Sequence, residues 1–389
     1  MTAGLAVEST ALAREIPFNR SPLAGREIEL VGEVLRSRHW CGDGEMTKRA
    51  SQLLQTIVGG GKVLLTTSCT HALEMAALLL NLKAGDEVIV PAFTFVTTAS
   101  AFAMHGARPV FVDVRPDTLC MDETKLAAAI TPRTRAIVPV HYAGVACAMD
   151  AILEIAASVG ASVVEDNAHG LFGTWRGRPL GSFGRLATQS FHETKNISCG
   201  EGGALVINDP TLVARAEILR EKGTNRAQFY RGEIDKYTWV DLGSSYLPSE
   251  LLAAVLVGQL EVSAAIQRER QRVWSAYAAG LASWAATHGV AQPTVPADCM
   301  QPAHMFYLLL PDLERRSAFI AHLRAHNIYS VFHYQPLHLS TYALRWGGRP
   351  GDLPVTERVA DTLVRLPLYP ELDEADLARI IDAITSFVP

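Results

Sequence analysis

Lys195 lies in the polar run SFHETKN, after the strand-like LATQSFH and just before the glycine-rich CGEGG. By itself it reads as a solvated surface charge. Two other turns change that reading. Asp166 ends the apolar run SVVED, and Ser68-Cys69-Thr70 follows KVLLTT and opens a helical stretch. A turn that opens a helix aims free backbone N–H groups and the positive dipole end at whatever lies there, which favours a phosphate. Thr70 adds a hydroxyl. Taken singly, Ser and Thr are ordinary helix caps, and a carboxylate at a strand end is as readily solvated as held against a cation. The set is more telling: an anion cradle, a carboxylate and an amine, in that order, each after a strand. Pyridoxal 5'-phosphate requires these three groups: a phosphate site, an acid that keeps its ring nitrogen protonated, and an amine that bonds its aldehyde. The chemistry expected is removal of a proton from a substrate carbon, with the protonated ring taking up the electrons.

Such residues need a scaffold that brings strand ends together. From Lys62 onward apolar runs alternate with helical stretches: KVLLT, a helix from Thr70 to Leu82 with Leu73, Ala76, Ala77 and Leu80 on one face, GDEVIVP, a helix near Phe95–Met104, RPVFVDV, RAIVPVH, the helix MDAILEIAASVG, and SVVED. Strands that are apolar throughout and separated by helices predict an α/β fold whose mostly parallel sheet is covered on both faces. Ligands bind at the carboxyl ends of such strands. A long helix is expected over Glu250–Glu269, followed by the Pro-rich QPTVPADCMQP and a smaller α+β unit containing MFYLLLP, a helix around Arg316–His326, IYSVFHY and a C-terminal helix. The expected organisation is a loose tail over 1–15, a large cofactor-binding domain over 16–262 and a small C-terminal domain over 263–389.

Composition narrows the class. The chain has 389 residues, 49% hydrophobic and 19% charged, against about 25% charged in an average soluble domain. That excludes intrinsic disorder and supplies a large core and a subunit interface. A net charge of −5 gives no basic field for nucleic acid or an anionic membrane surface. The six cysteines are scattered without a CxxC, so neither a zinc site nor a disulfide framework is expected. No apolar run approaches a membrane span of about 18 residues, and a cytoplasmic enzyme is the expectation. Two local patterns mislead. GGGKVL lacks the Ser/Thr and spacing of a phosphate-binding P-loop, and HETKN carries Asn196 where a zinc-protease motif needs its second histidine. No GxGxxG opens the first helix, where the turn is TTSCTHA.

The runs PAFTFVTTA, VPVHYAG, VVEDNAH, SFHETKN and GEGGALVIND resemble those of the DegT/DnrJ/EryC1/StrS family of sugar-nucleotide aminotransferases, and the likeness extends from IPFNRSPL to RLPLYPEL. The resemblance implies the type I aminotransferase fold. It makes Lys195 the lysine bonded to the cofactor and Asp166 the partner of the pyridine nitrogen. His169 stands where the family contacts the ring hydroxyl, Phe95 matches the aromatic stacked on the ring, and Thr70, His71 and Ser190 match phosphate contacts. Where many relatives send an Asn from the adjacent subunit in a GYNYR-like run, this chain has GSSYLPSE, with Ser245 nearest that position. Candidate substrate residues are His141 and Tyr142 at a strand end, Lys222, Arg226 and Arg231 for a diphosphate, and His333 and Tyr334 near the sugar. VPVHYAGVAC, FHETKN, REKGTNRAQFYRGEIDKYTW and MFYLLL…VFHYQPLH resemble the members that aminate C4 of dTDP-4-dehydro-6-deoxyglucose. The implied partners are that dTDP-keto-sugar, L-glutamate and a second subunit in a homodimer with shared active sites. Other keto-sugar substrates remain open. Sugar dehydratases of the family carry histidine in place of the lysine, which Lys195 argues against, and a non-catalytic cofactor-binding regulator would leave the full catalytic set without use.

Overall fold

Seven strands form one sheet: β1 Lys62–Thr66, β2 Glu87–Pro91, β3 Arg108–Val112, β4 Thr134–Ile137, β5 Ser162–Asp166, β6 Leu186–Ser190 and β7 Gly203–Ile207. The computed structural model in which they are seen describes residues 14–389, so the expected tail lies outside the described residues apart from Arg14 and Glu15. The strand order is β1-β7-β6-β5-β4-β2-β3. Only β7 runs against its neighbours; the other pairings are parallel. This is the α/β architecture of the type I aminotransferase fold.

Both sheet faces are covered, as wholly apolar strands require. Leu64, Val88, Val90, Val164 and Leu205 pack on one face against Leu73, Ala76 and Ala77 of helix Cys69–Leu79. Ile89, Ile137 and Val163 meet Met149 and Ile152 on the other, beside Val63, Ala187 and Val206 with Leu54 and Ala253. Helix Cys69–Leu79 stops short of Leu82 because Asn81 turns left-handed (φ 52°), a conformation Asn tolerates after a helix end. The helix near Phe95 starts two residues later, at Thr97, and ends at Ala103.

The helix expected over Glu250–Glu269 is two helices, Glu250–Glu261 and Ser263–His288, bent by 67°. Nothing in the run EVSA signals a break. Val262 adopts φ −110°, ψ 15°, and the end of the first helix is tied down by Gln259, which accepts from the Ser198 N–H and donates to the Pro22 carbonyl. Beyond the bend Tyr277, Leu281, Phe306, Phe319 and Ile380 form a separate core. Ile16 packs into that core and pairs with Ile328, so residue 16 joins the C-terminal core rather than the large unit.

One buried carboxylate organises the loops under the sheet edge. Glu165, with 0% exposure, accepts from the N–H groups of Gly181, Phe183 and Gly184 at 2.6–2.8 Å and from His141 Nε2 at 3.0 Å. Glu165→Ala leaves those donors buried and unpaired. It is expected to cost about 3–5 kcal/mol, read as a fall in the urea midpoint of the purified protein. A midpoint shift below about 1 kcal/mol equivalent would contradict that role.

Candidate active site

Strand register brings the sequence motifs to one place. Thr66 on β1 and Ser190 on β6 both stand opposite Gly203, and Asp166 on β5 stands opposite Thr188, two residues before Ser190. A side chain at Gly203 could not be accommodated, because its Cβ would lie 2.3 Å from the Ser68 carbonyl carbon and 2.4 Å from the Cys69 nitrogen. The glycine lets the first helix start directly against the sheet edge.

At that helix start the Ser68 hydroxyl caps the His71 N–H at 3.1 Å, which leaves the N–H groups of Cys69 and Thr70 without protein acceptors among the described residues. The Thr70 and Ser190 side chains are half-buried beside them. His71, expected to contact phosphate, has its N–H occupied by Ser68 and its Nδ1 held by the Thr67 hydroxyl, and its ring packs edge-on against Tyr246. Only its Nε2 stays free.

Asp166 is 5% exposed. Its Oδ2 accepts from the Thr98 hydroxyl at 2.7 Å and its Oδ1 from the Ala168 N–H at 3.2 Å. The Thr94 hydroxyl lies 2.8 Å from Thr98; because Thr98 has given its one proton to the carboxylate, Thr94 donates to it. The two donors fix the orientation of the carboxylate. Sequence reading missed Thr94 and Thr98, whose four-residue spacing inside AFTFVTT is the signal.

The Lys195 amine is lowered to about 8, chiefly by burial and also by the Arg365 charge, with Cys69 and Asp166 opposing. Burial pushes the Cys69 thiol up to about 12, so it is neutral near pH 7 and Asp166 is the standing counter-charge.

Three imidazoles fill the space beyond. His169 accepts the Ala143 N–H at Nδ1 (3.4 Å), so its proton sits on Nε2, 3.5 Å from the Tyr334 hydroxyl. It stacks on His304 at 4.4 Å, and His304 Nδ1 donates to Asn196 Oδ1 at 2.7 Å. His333 Nδ1 lies 2.9 Å from the Tyr142 hydroxyl. Burial, reinforced by nearby cations, pushes all three histidines well below their ordinary range, so they are neutral. His304 and Asn196 were not legible as site residues, because their meeting spans 108 positions. Phe95 is 55% exposed at the mouth, 6.3 Å from the Tyr334 ring.

Other candidates fall elsewhere. His141 is fully buried, accepting the Cys147 N–H at Nδ1 and donating to Glu165 from Nε2; it holds the loop and does not face the site. Tyr142, also fully buried, stays with the site: its ring lies 5.8 Å from His169 and its hydroxyl 2.9 Å from His333 Nδ1. Lys222 and Arg226 share Glu221, and Arg231 pairs with Glu217 and Glu233. These three cations are therefore engaged by protein carboxylates rather than free. Ser245 is exposed and bridges Glu221 through its backbone.

The donor set fits pyridoxal phosphate: two unspent helix N–H groups with Thr70 and Ser190 for the phosphate, Asp166 for the ring nitrogen, the His169 Nε2–H for the ring oxygen, and Lys195 for the aldehyde. Fold and site together define a pyridoxal-phosphate-dependent aminotransferase. A sequence model described as the DegT/DnrJ/EryC1/StrS aminotransferase family matches residues 23–385, and the chain belongs to that family of sugar aminotransferases. It is 32% identical over 381 residues to the spore coat polysaccharide biosynthesis protein SpsC of Bacillus subtilis, covering 96% of this chain and 97% of that one. DesV of S. venezuelae superposes with a TM-score of 0.87 at 31% identity, over 96% of this chain and all of the other. The putative sugar aminotransferase Spr1654 of Streptococcus pneumoniae, in its PMP form, gives a TM-score of 0.88 at 27% identity, over 95% and 98% of the two chains.

The Lys195 amine is cationic below about pH 8 and neutral above it. Uptake of pyridoxal phosphate by the cofactor-free protein, followed by absorbance, should therefore speed up about tenfold per pH unit below 8 and level off above it. A flat profile from pH 6 to 9 would show that the attacking amine titrates elsewhere.

Proposed function

We propose that this aminotransferase moves the amino group of L-glutamate to C4 of dTDP-4-dehydro-6-deoxyglucose, giving a dTDP-4-amino-4,6-dideoxyhexose of galacto or gluco configuration. The observation that carries the reading is a desolvated Lys195 amine beside a buried, doubly hydrogen-bonded Asp166. The runs HYAGVAC, NRAQFYRGEIDKYTW and VFHYQPLH support the particular sugar. When bound, pyridoxal phosphate supplies an electron sink for the carbanion formed as a proton leaves the substrate carbon.

The protein's own residues do the rest. Asp166 would face the ring nitrogen and keep it protonated, and Thr98 and Ala168 hold its carboxylate in place. The neutral Nε2–H of His169 would donate to the ring oxygen. Once its amine is free, Lys195 Nζ takes the proton from the donor's α-carbon and, in the second half of the cycle, returns one to C4 of the sugar. An amine near pKa 8 can do both at neutral pH. The face of C4 turned toward Lys195 decides between galacto and gluco products.

The same reading makes the enzyme a cytosolic homodimer. Phe95 and Val96 stand 55% and 51% exposed at the site mouth, and a second subunit covering them would bring its Ser245 run to the phosphate end. Most closed oligomers are such two-fold pairs.

Incubation with dTDP-4-dehydro-6-deoxyglucose and L-glutamate should consume the two in equal amounts and yield an aminated sugar whose NMR couplings report the C4 configuration. Lys195→Ala should lower turnover by at least about a thousandfold. A deoxy-sugar formed without loss of glutamate would replace transamination with dehydration. Light scattering should give twice the chain mass, and a fully active monomer would exclude the shared site.

A further inference from the structure

Ala303 has a left-handed backbone (φ 49°), a conformation that a residue with a Cβ adopts at a cost. The surroundings hold it there. Its N–H donates to the Gln301 side chain, and the buried guanidinium of Arg270 donates to the Ala303 carbonyl at 3.1 Å and to the His304 carbonyl at 2.6 Å. The side chain that this segment presents is His304, 6% exposed and stacked at 4.4 Å on the ring of His169. Its Nδ1 lies 2.7 Å from Asn196 Oδ1. Because Asn196 Nδ2 donates to the Pro302 carbonyl, the amide turns its oxygen toward His304. The one ring proton of this neutral imidazole is therefore on Nδ1, and Nε2 carries a lone pair. No donor among the described residues reaches that lone pair, yet Nε2 is not shut in by protein. Three separate contacts thus fix a ring whose outer nitrogen is left open as an acceptor.

We propose that His304 Nε2 accepts a hydrogen bond from the C3 hydroxyl of the keto-sugar and makes the second half-reaction selective for sugars that carry it. The inference rests on the keto-sugar reading above and adds a specificity-determining residue to it. Asn196, which holds the ring, follows Lys195 directly, and His169 lies against its face. His304 therefore stands beside the reacting end of the site. An acceptor without a proton offers nothing to the carboxylates of the amino donor, whose only donor group is the reacting amine itself. The sugar is different. Its C4 ketone has two neighbours: C5, which bears a methyl group and the ring oxygen, and C3, which bears a hydroxyl. With C4 brought to Lys195, the C3 hydroxyl is the one neighbouring group with a proton to give. A dry acceptor that meets a hydroxyl rejects the analogue lacking it, because the acceptor is then left unpaired.

The test divides the two edges of the imidazole. His304→Asn keeps a donor for Asn196 and loses the outer acceptor, whereas His304→Gln keeps an acceptor near Nε2 and loses the donor. Holoenzyme loaded with pyridoxamine phosphate and mixed with dTDP-4-dehydro-6-deoxyglucose should react about 10- to 100-fold less efficiently in His304→Asn, and His304→Gln should recover most of that loss. Wild type should disfavour the 3-deoxy counterpart by a similar factor, and His304→Asn by less than about twofold. The glutamate half-reaction, followed by the cofactor's absorbance, should stay within about twofold of wild type in both variants. Calorimetry on the cofactor-free protein with dTDP-6-deoxyglucose, which has no ketone to aminate, should rank wild type and His304→Gln above His304→Asn. The opposite ranking would make His304 a brace for the lysine turn and overturn the proposal. Equal handling of the 3-hydroxy and 3-deoxy sugars by wild type would overturn it too, as would loss of both half-reactions in both variants. A wild type that reacts with glutamate but aminates no keto-sugar would instead remove the functional reading, and the calorimetric ranking would then decide the role of His304 alone.

Discussion

The site depends on keeping an ionised acid and a lysine that can lose its proton on the same dehydrated floor. These demands conflict, because low dielectric strengthens the pull of Asp166 on a protonated Lys195. The conflict is settled by where the acid's charge goes. Thr98 and the Ala168 N–H each take part of it, and Thr94 fixes the direction of the Thr98 proton. Desolvation of the amine then outweighs the remaining attraction. The parallel sheet serves the same end: its register puts the acid and the anion cradle at one edge, and the glycine at 203 admits the helix start against it.

The neutral imidazoles complete this arrangement. A cationic His169 would repel a protonated ring nitrogen and could not coexist with Arg365 nearby. Its neutrality is built from both ends of the chain. Ala143 fixes its tautomer, while His304, stacked on it, is held by Asn196 and by the Arg270 contacts to the Ala303 and His304 carbonyls. Asn196 follows Lys195 directly and also donates to the Pro302 carbonyl. The lysine turn and the C-terminal segment are thereby coupled through one amide side chain.

Lys195, Asp166 and Thr70 were legible because each combines a chemically meaningful residue with a strand end, and a parallel sheet gathers strand ends by topology alone. Alternation of apolar runs and helices sufficed for the sheet. Groups whose role depends on tertiary partners could not be read. His141 sits at a strand end as Asp166 and Ser190 do, yet Glu165 claims it. The cations of REKGTNRAQFYR look free in sequence, yet Glu217, Glu221 and Glu233 pair with them in space. The bend at Val262 has no local breaker; the helix end before it is held by Gln259 through backbone groups distant in sequence.

What a side chain is bonded to therefore marks its role in this molecule better than its charge. Lys222, Arg226 and Arg231 are conspicuous and satisfied. Lys195, by contrast, makes no salt bridge among the described residues, and burial lowers its pKa. The same contrast separates two adjacent acids on β5: Glu165 is saturated by protein donors and serves the fold, whereas Asp166 accepts only from Thr98 and Ala168. Strand alternation turns these neighbours to opposite sides of the sheet, one toward a loop that fills its bonding capacity and one toward the amine. Two carboxylates one residue apart thus acquire unrelated roles, because only one of them keeps lone pairs for a ligand.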